Sequence, residues 1–297
     1  MMASLNGGHG AVLMDKWTPE DCLARIERHK VTETHMVPTM FNRMLKLPDD
    51  VKKQYDVSSM THAIHSAAPC PIPTKQAMLD WWGPVIYEYY AATEGGGTLA
   101  TPEDWLKKPG TVGKPWPISQ VVIFDDDGNK LPPGEIGTVW MSMGDQKFEY
   151  HKDKEKTEKS WKEGYFTVGD AGYLDEDGYL FLADRKIDMI IAGGVNIYPA
   201  EIEAVLIQHP DVEDCAVFGI PHDDLGEEVK AAVQVIDGVD ADEAQEQKLL
   251  DYLKDNVAKY KLPRSVDFHT EFPRDPNGKL YKRKLRDPYW EGRETKI

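Results

Sequence analysis

The sequence predicts an α/β protein with more than one domain, and three observations carry that expectation. Proline-started helical stretches alternate with short apolar runs over the first ninety residues. Residues 121–143 read as strands broken by turn signals. One stretch, Gly164 to Glu203, packs polar and glycine landmarks between apolar runs, as a junction between two structural units would. At 297 residues the chain is long enough to bury a sizeable core in two domains.

Composition narrows the class. A hydrophobic fraction of 41% and a charged fraction of 29% are those of a soluble globular protein. The net charge of −16 argues against a nucleic-acid partner, which needs a whole face of Lys and Arg. Cys22, Cys70 and Cys215 share no paired spacing, so neither a disulfide framework nor a zinc site is expected, and a reducing, cytoplasmic setting fits. The first residues lack a basic, apolar leader, and no apolar run approaches the roughly 20 residues of a transmembrane segment.

Taken in order, Thr18-Pro19-Glu20-Asp21 starts a helix: a hydroxyl cap, proline in the first turn, then acids. Leu23 and Ile26 give it a buried side. Val31 to Val37 reads as a strand stopped by Pro38. Met40, Phe41, Met44 and Leu45 recur at helical spacing and read as core. A helix over Pro73 to Trp82 leads to a strand over Pro84 to Tyr90, and this alternation predicts a parallel sheet. His62 and His65 lie three apart with no third ligand nearby, so no metal site is assigned.

Tyr89-Tyr90-Ala91-Ala92-Thr93-Glu94 would lie beyond the carboxyl end of that strand, where open α/β sheets bind ligands. Tyrosine can stack on a purine, threonine can bond a phosphate, and glutamate can hold Mg2+. The hexapeptide alone fits such a ligand site and a plain strand followed by a polar loop equally well. Gly95-x-Gly97-x-x-Ala100 matches a dinucleotide fingerprint, but Pro102 leaves no long helix to receive a pyrophosphate. Farther on, Asp127-Gly128 is a hairpin signal and Gly134 to Gly137 a tight turn, while Asp125 to Asp127 reads as a solvated turn. Lys147 to Lys162 reads as surface loop or exposed helix. Beyond the junction, a helix from Pro199 buries Ile202, Val205 and Leu206. Strands follow at Val212 to Phe218 and Val229 to Ile236, then a helix carrying Leu249, Leu250, Leu253 and Val257.

Several motifs then fall in one order: YYAATE at Tyr89–Glu94, TVGD at Thr167–Asp170, ADRKIDMIIAGGVNIYPAEIE at Ala183–Glu203, GIPHDDLGEE at Gly219–Glu228 and PRDPNGKL at Pro273–Leu280. From about residue 10 to residue 290 the chain resembles the adenylate-forming superfamily, which includes acyl-CoA synthetases and the adenylation domains of peptide synthetases. The resemblance implies the C-terminal part (1–184) of a large, multi-layer α/β domain with a β-barrel-like element. A small α+β C-terminal domain (185–297) would follow through a hinge at Ile187.

It further implies an AMP-forming acyl-CoA ligase. A carboxylate attacks the α-phosphate of ATP to give acyl-AMP and pyrophosphate, and CoA then takes the acyl group. Lys279, at a loop tip made by Asn277-Gly278, would bridge carboxylate and phosphate oxygens, where charge builds up. Asp170 would hold the ribose hydroxyls, with Arg185 beside it. Tyr90 would take adenine, Ala91 and Ala92 would line the same strand end, Thr93 the phosphate and Glu94 the Mg2+. Ala67, Ala68 and Pro69 would form the small-residue loop that lets backbone approach the nucleotide. Gly193 and Gly194 would line the CoA tunnel, and Gly95 and Gly96 would open a pocket for a medium-chain, long-chain or bulky acid.

Three departures stand out. Ala91 replaces the usual glycine, and Ile187 sits where many relatives carry Asp or Lys. The Ser/Thr/Gly-rich phosphate loop is absent from these residues, so the chain is expected to be a C-terminal portion that needs a missing N-terminal half for turnover. The alternatives are a non-catalytic nucleotide- or CoA-binding module, or the adenylation domain of another branch, which is disfavoured because no carrier domain follows Arg293.

Overall fold

The computed structural model of the protein describes residues 6–274 and 279–292. Its first helix, Pro19–His29, begins as the sequence dictates: the Thr18 hydroxyl accepts from the Asp21 amide at 3.2 Å, and Cys22, Leu23 and Ile26 turn inward. Pro38 does more than end a strand. It opens the helix Pro38–Leu45, because proline fits the first turn where its missing N–H is not needed.

The first sheet runs in the order β1 (Glu33–Met36), β2 (His62–His65), β3 (Ile86–Ala92), β4 (Gly95–Ala100), β5 (Lys114–Pro115). The parallel arrangement holds for β1 to β3, whose crossovers carry the helices Pro38–Leu45 and Ile72–Trp82. It fails for β4 and β5, which pair antiparallel. The reason is local: only Thr93 and Glu94 separate β3 from β4, and a two-residue link can make a hairpin but not a crossover. Leu23, Phe41, Met44, Met78, Ile86 and Trp105 pack as one core between these helices and the sheet, so the methionine and aromatic stripe is core as expected.

The second sheet has the path β11 (Leu180–Arg185), β10 (Asp170–Leu174), β7 (Gly137–Met143), β9 (Tyr165–Phe166), β8 (Trp161–Lys162), with β6 (Ser119–Phe124) also on β7. Among the described residues this path stays open, so the barrel-like element is an open sheet and not a closed ring. Asp127-Gly128 turns the chain just after β6, closing the bridge between Phe124 and Lys130. The charged segment holds the short helix Lys154–Lys159.

The third sheet has the order β13 (Val195–Ile197), β12 (Ile190–Ala192), β15 (Gly226–Val235), β14 (Val212–His222), with β16 (Ser265–Phe268) parallel to β15. Both of its faces are covered. Cys215, Val217, Ala231 and Val233 pack with Ile202, Leu206, Leu249 and Leu253 of the helices Pro199–Leu206 and Glu243–Lys254. Ala216, Phe218 and Ala232 meet Phe272 and Leu285 on the other side. That double burial explains why β14 reads as a continuous apolar run instead of alternating. No helix among the described residues is long and apolar enough to cross a membrane.

Candidate functional site

Because β1, β2 and β3 are parallel, their carboxyl ends share one edge of the first sheet, and the loops that leave there are neighbours. Ser66 to Pro69 leaves β2. Ser66 is buried, with its Oγ 3.1 Å from His35 Nε2, while Ala67, Ala68 and Pro69 are exposed. Ala67 holds φ +73°, a left-handed conformation that favours glycine. A second strand end stands beside it: β3 continues past the β2 register, placing Tyr89 to Ala92 on the strand and Thr93-Glu94 in the hairpin turn.

Tyr90 reaches across to the second sheet, where its hydroxyl donates to Asp170 Oδ2 at 2.6 Å. Burial, reinforced by the Asp170 charge, pushes the Tyr90 phenol well above its ordinary range. Asp170 is the first residue of β10 and the register partner of Arg185 on β11. Arg185 Nε lies 3.4 Å from Asp170 Oδ1, with the Arg185 side chain 47% exposed, so this ion pair contributes little stability. The Thr167-Val168-Gly169-Asp170 turn is tied down by Thr167, whose hydroxyl donates to the Val139 carbonyl at 2.8 Å and accepts from the Gly169 amide at 3.1 Å. Tyr90, Asp170 and Arg185 therefore form one constellation across the two sheets.

The neighbouring Asp184 meets Arg185 only through the backbone, its Oδ1 accepting from the Arg185 amide at 2.7 Å. Its Oδ2 accepts from the Ala200 amide at 2.8 Å, capping the helix that Pro199 opens, and burial raises its carboxyl. Ile187 is exposed in the turn between β11 and β12, where Asp188 and Met189 both donate from their amides to the Arg185 carbonyl. Gly193 and Gly194 are the two turn residues between β12 and β13, with φ +58° and +79°, so a tight hairpin explains both glycines.

Gly95 and Gly96 lie in β4. A Cβ on Gly96 would stand 3.0 Å from Met141 Cβ and 3.5 Å from the Phe166 ring, so this glycine serves the close approach of the two sheets. Lys279 is exposed next to the bridge between Arg274 and Leu280, which closes the base of its loop. The Asn277-Gly278 tip lies outside the described residues.

Glu94 Oε1 accepts from the Tyr150 hydroxyl at 2.8 Å, and burial followed by this bond raises the Tyr150 phenol. Sequence reasoning missed Tyr150. The signal was the Phe148-Glu149-Tyr150 aromatic pair inside a segment otherwise read as surface. Among the described residues no three His, Cys, Asp or Glu side chains cluster as a metal cage. A single carboxylate suits Mg2+, which keeps waters and takes phosphate oxygens beside one or two protein ligands. His62 and His65 do not converge: His62 stacks on Tyr87 at 4.9 Å, whereas His65 meets Phe41 at 5.3 Å. Three residues apart on a strand, they face opposite sides.

Comparison with known proteins bears on the whole arrangement. Residues 1–147 match the family model of the AMP-binding enzyme, and residues 201–279 that of the AMP-binding enzyme C-terminal domain. A long-chain-fatty-acid–CoA ligase of Bacillus subtilis is 32% identical over 298 residues, covering 100% of this chain and 52% of that protein. One from Mycobacterium tuberculosis is 37% identical over 258 residues, covering 85% and 49%. The solved structure of O-succinylbenzoate coenzyme A synthetase from Bacillus subtilis, in complex with ATP and magnesium ion, matches with a TM-score of 0.79 at 30% identity. It covers 96% of this chain and 57% of that one. The chain thus spans about half the length of the curated relatives it matches.

Proposed function

The chain belongs to the AMP-binding enzyme family, and from that premise we propose that it serves an acid–thiol ligase. In this reading ATP activates a carboxylic acid as acyl-AMP, and CoA then takes the acyl group. The observation that carries it is the Tyr90–Asp170–Arg185 constellation beside the Ala67–Pro69 loop. A carboxylate has about four lone-pair positions. Tyr90 and Arg185 orient Asp170 while leaving it capacity to accept ribose hydroxyls. Glu94, held by Tyr150, is assigned to Mg2+, which when bound neutralises phosphate charge. Thr93 is assigned to phosphate. Lys279 is assigned to the carboxylate and phosphate oxygens, and Gly193-Gly194 to the CoA passage.

The division at 184/185, with Ile187 in the connecting turn, is part of the same proposal. So is a medium-chain, long-chain or bulky acyl substrate, of which the names of the two relatives support the long-chain class. Gripping of the β- and γ-phosphates is assigned to the portion of the relatives that these residues do not match, and the three unpaired cysteines fit a cytoplasmic setting.

ATP–pyrophosphate exchange with a panel of carboxylic acids tests the reading in the complete enzyme. Lys279→Ala is expected to lower exchange by about 10²–10³-fold, the scale of removing one charge-stabilising group. Unchanged exchange would remove Lys279 from the scheme. AMP or CoA binding without any exchange would favour the non-catalytic module.

A further inference from the structure

Beneath the Ser66–Pro69 loop lies a charged cluster that the proposed chemistry does not use. Lys75, in the first turn of the Ile72–Trp82 helix, is fully buried and donates from Nζ to Glu88 Oε2 on β3 at 2.7 Å. The Trp105 ring stands 5.1 Å from the same ammonium. His65, the last residue of β2 and the register partner of Glu88, is also fully buried, with Nε2 3.5 Å from the same carboxylate oxygen. Neither ring nitrogen of His65 has a hydrogen-bond partner among the described residues. Burial pushes the Lys75 amine down, the Glu88 carboxyl up and the His65 imidazole well below its ordinary range.

Such a pair is a poor way to stabilise a core, since replacing both members by apolar side chains is often neutral or better. Its placement points to another role. Lys75 belongs to the helix that receives the Ser66–Pro71 loop, and Glu88 immediately precedes Tyr89 and Tyr90. Their bond ties the far end of the loop to the strand that carries the second half of the site, while β2–β3 pairing fixes the near end. Between those anchors Ala67 is held at φ +73°, which persists only where the surroundings over-determine it.

We propose that Lys75 and Glu88 are positioning residues: they clamp the Ser66–Pro69 loop against β3 and set its spacing from Tyr90 to Glu94. The inference rests on the reading of those two segments as nucleotide contacts. Cys70 gives a direct probe, because it follows Pro69 and packs against the core, where burial and then the Glu88 charge push its thiol well above the ordinary range, so it reacts only when the loop opens; Cys22 and Cys215 are buried in other elements. Thiol labelling of the folded chain therefore reports opening of this loop.

In Lys75→Met, Cys70 is expected to label roughly tenfold faster or more, because one charge of a buried pair is left uncompensated. The double variant Lys75→Met/Glu88→Leu is expected to regain the wild-type urea midpoint, yet to keep fast labelling and bind AMP more weakly than wild type. Should Lys75→Met fail to fold, the double variant decides alone. Wild-type labelling in the double variant, or AMP affinity that recovers together with stability, would show that the pair only fills the core and would overturn the proposal. If the wild-type chain bound no AMP while the double variant still uncovered Cys70, the clamp would stand and the nucleotide reading would fall.

Discussion

Tyr90→Phe removes one of the hydrogen bonds that join the first and second sheets. The hydroxyl donates to a buried carboxylate at 2.6 Å, and Asp170 is only 8% exposed. Hydrogen bonds to charged groups contribute about 1.5–3 kcal/mol, so the variant is expected to lose roughly that much at neutral pH. The alkaline limb sharpens the test. Burial and the Asp170 charge raise the folded Tyr90 phenol above its unfolded value, so its contribution is fully present below pH ~10 and is lost as pH rises further. By pH ~11 the unfolded phenol has gained about 1.4 kcal/mol from ionising, which the folded one has not. The deficit of Tyr90→Phe relative to wild type should therefore shrink by about 1.4 kcal/mol between pH ~8 and pH ~11. Urea unfolding at the two pH values measures this, and tyrosinate absorbance gives an independent count. Folded wild type and Tyr90→Phe should ionise equal numbers of tyrosines near pH ~11, whereas in urea wild type should ionise one more. One extra tyrosinate in the folded wild-type protein near pH ~10 would refute the reasoning.

Two further substitutions probe the surroundings. Ala67→Gly should raise the urea midpoint by the equivalent of about 0.5–1 kcal/mol, since relief of the φ +73° alanine outweighs the added freedom of the unfolded chain; a lowered midpoint would show that the loop is not strained. Lys282→Met strands Glu203, whose Oε1 accepts from Lys282 Nζ at 2.7 Å and from the Val217 amide at 2.6 Å. Burial already raises the Glu203 carboxyl, so removing its cation should cost about 3 kcal/mol near pH 8 and less near pH 5, where the carboxyl takes up a proton. A penalty that grows on acidification would contradict this.

What could be read in the sequence was local. The run up to Tyr90 announced a strand, Asp127-Gly128 a hairpin, and Thr18-Pro19 a helix start, because each depends on the conformational preferences of a few adjacent residues. The antiparallel return of β4 was hidden because a two-residue turn and a ligand loop look alike when only Thr93-Glu94 is in view. The close packing at Gly96 was hidden for a similar reason: the Met141 and Phe166 side chains that approach it lie more than forty residues away.

The family motifs, the candidate residues and most of the helix and strand order could be read along the chain. The long-range pairings came from folding: Tyr90 with Asp170, Asp184 with the helix at Pro199, Tyr150 with Glu94, and Lys75 with Glu88. A carboxylate accepts from whichever donor folding brings within about 3 Å. Which donor that is depends on how strands from distant parts of the chain align, and no local period in the sequence records that alignment.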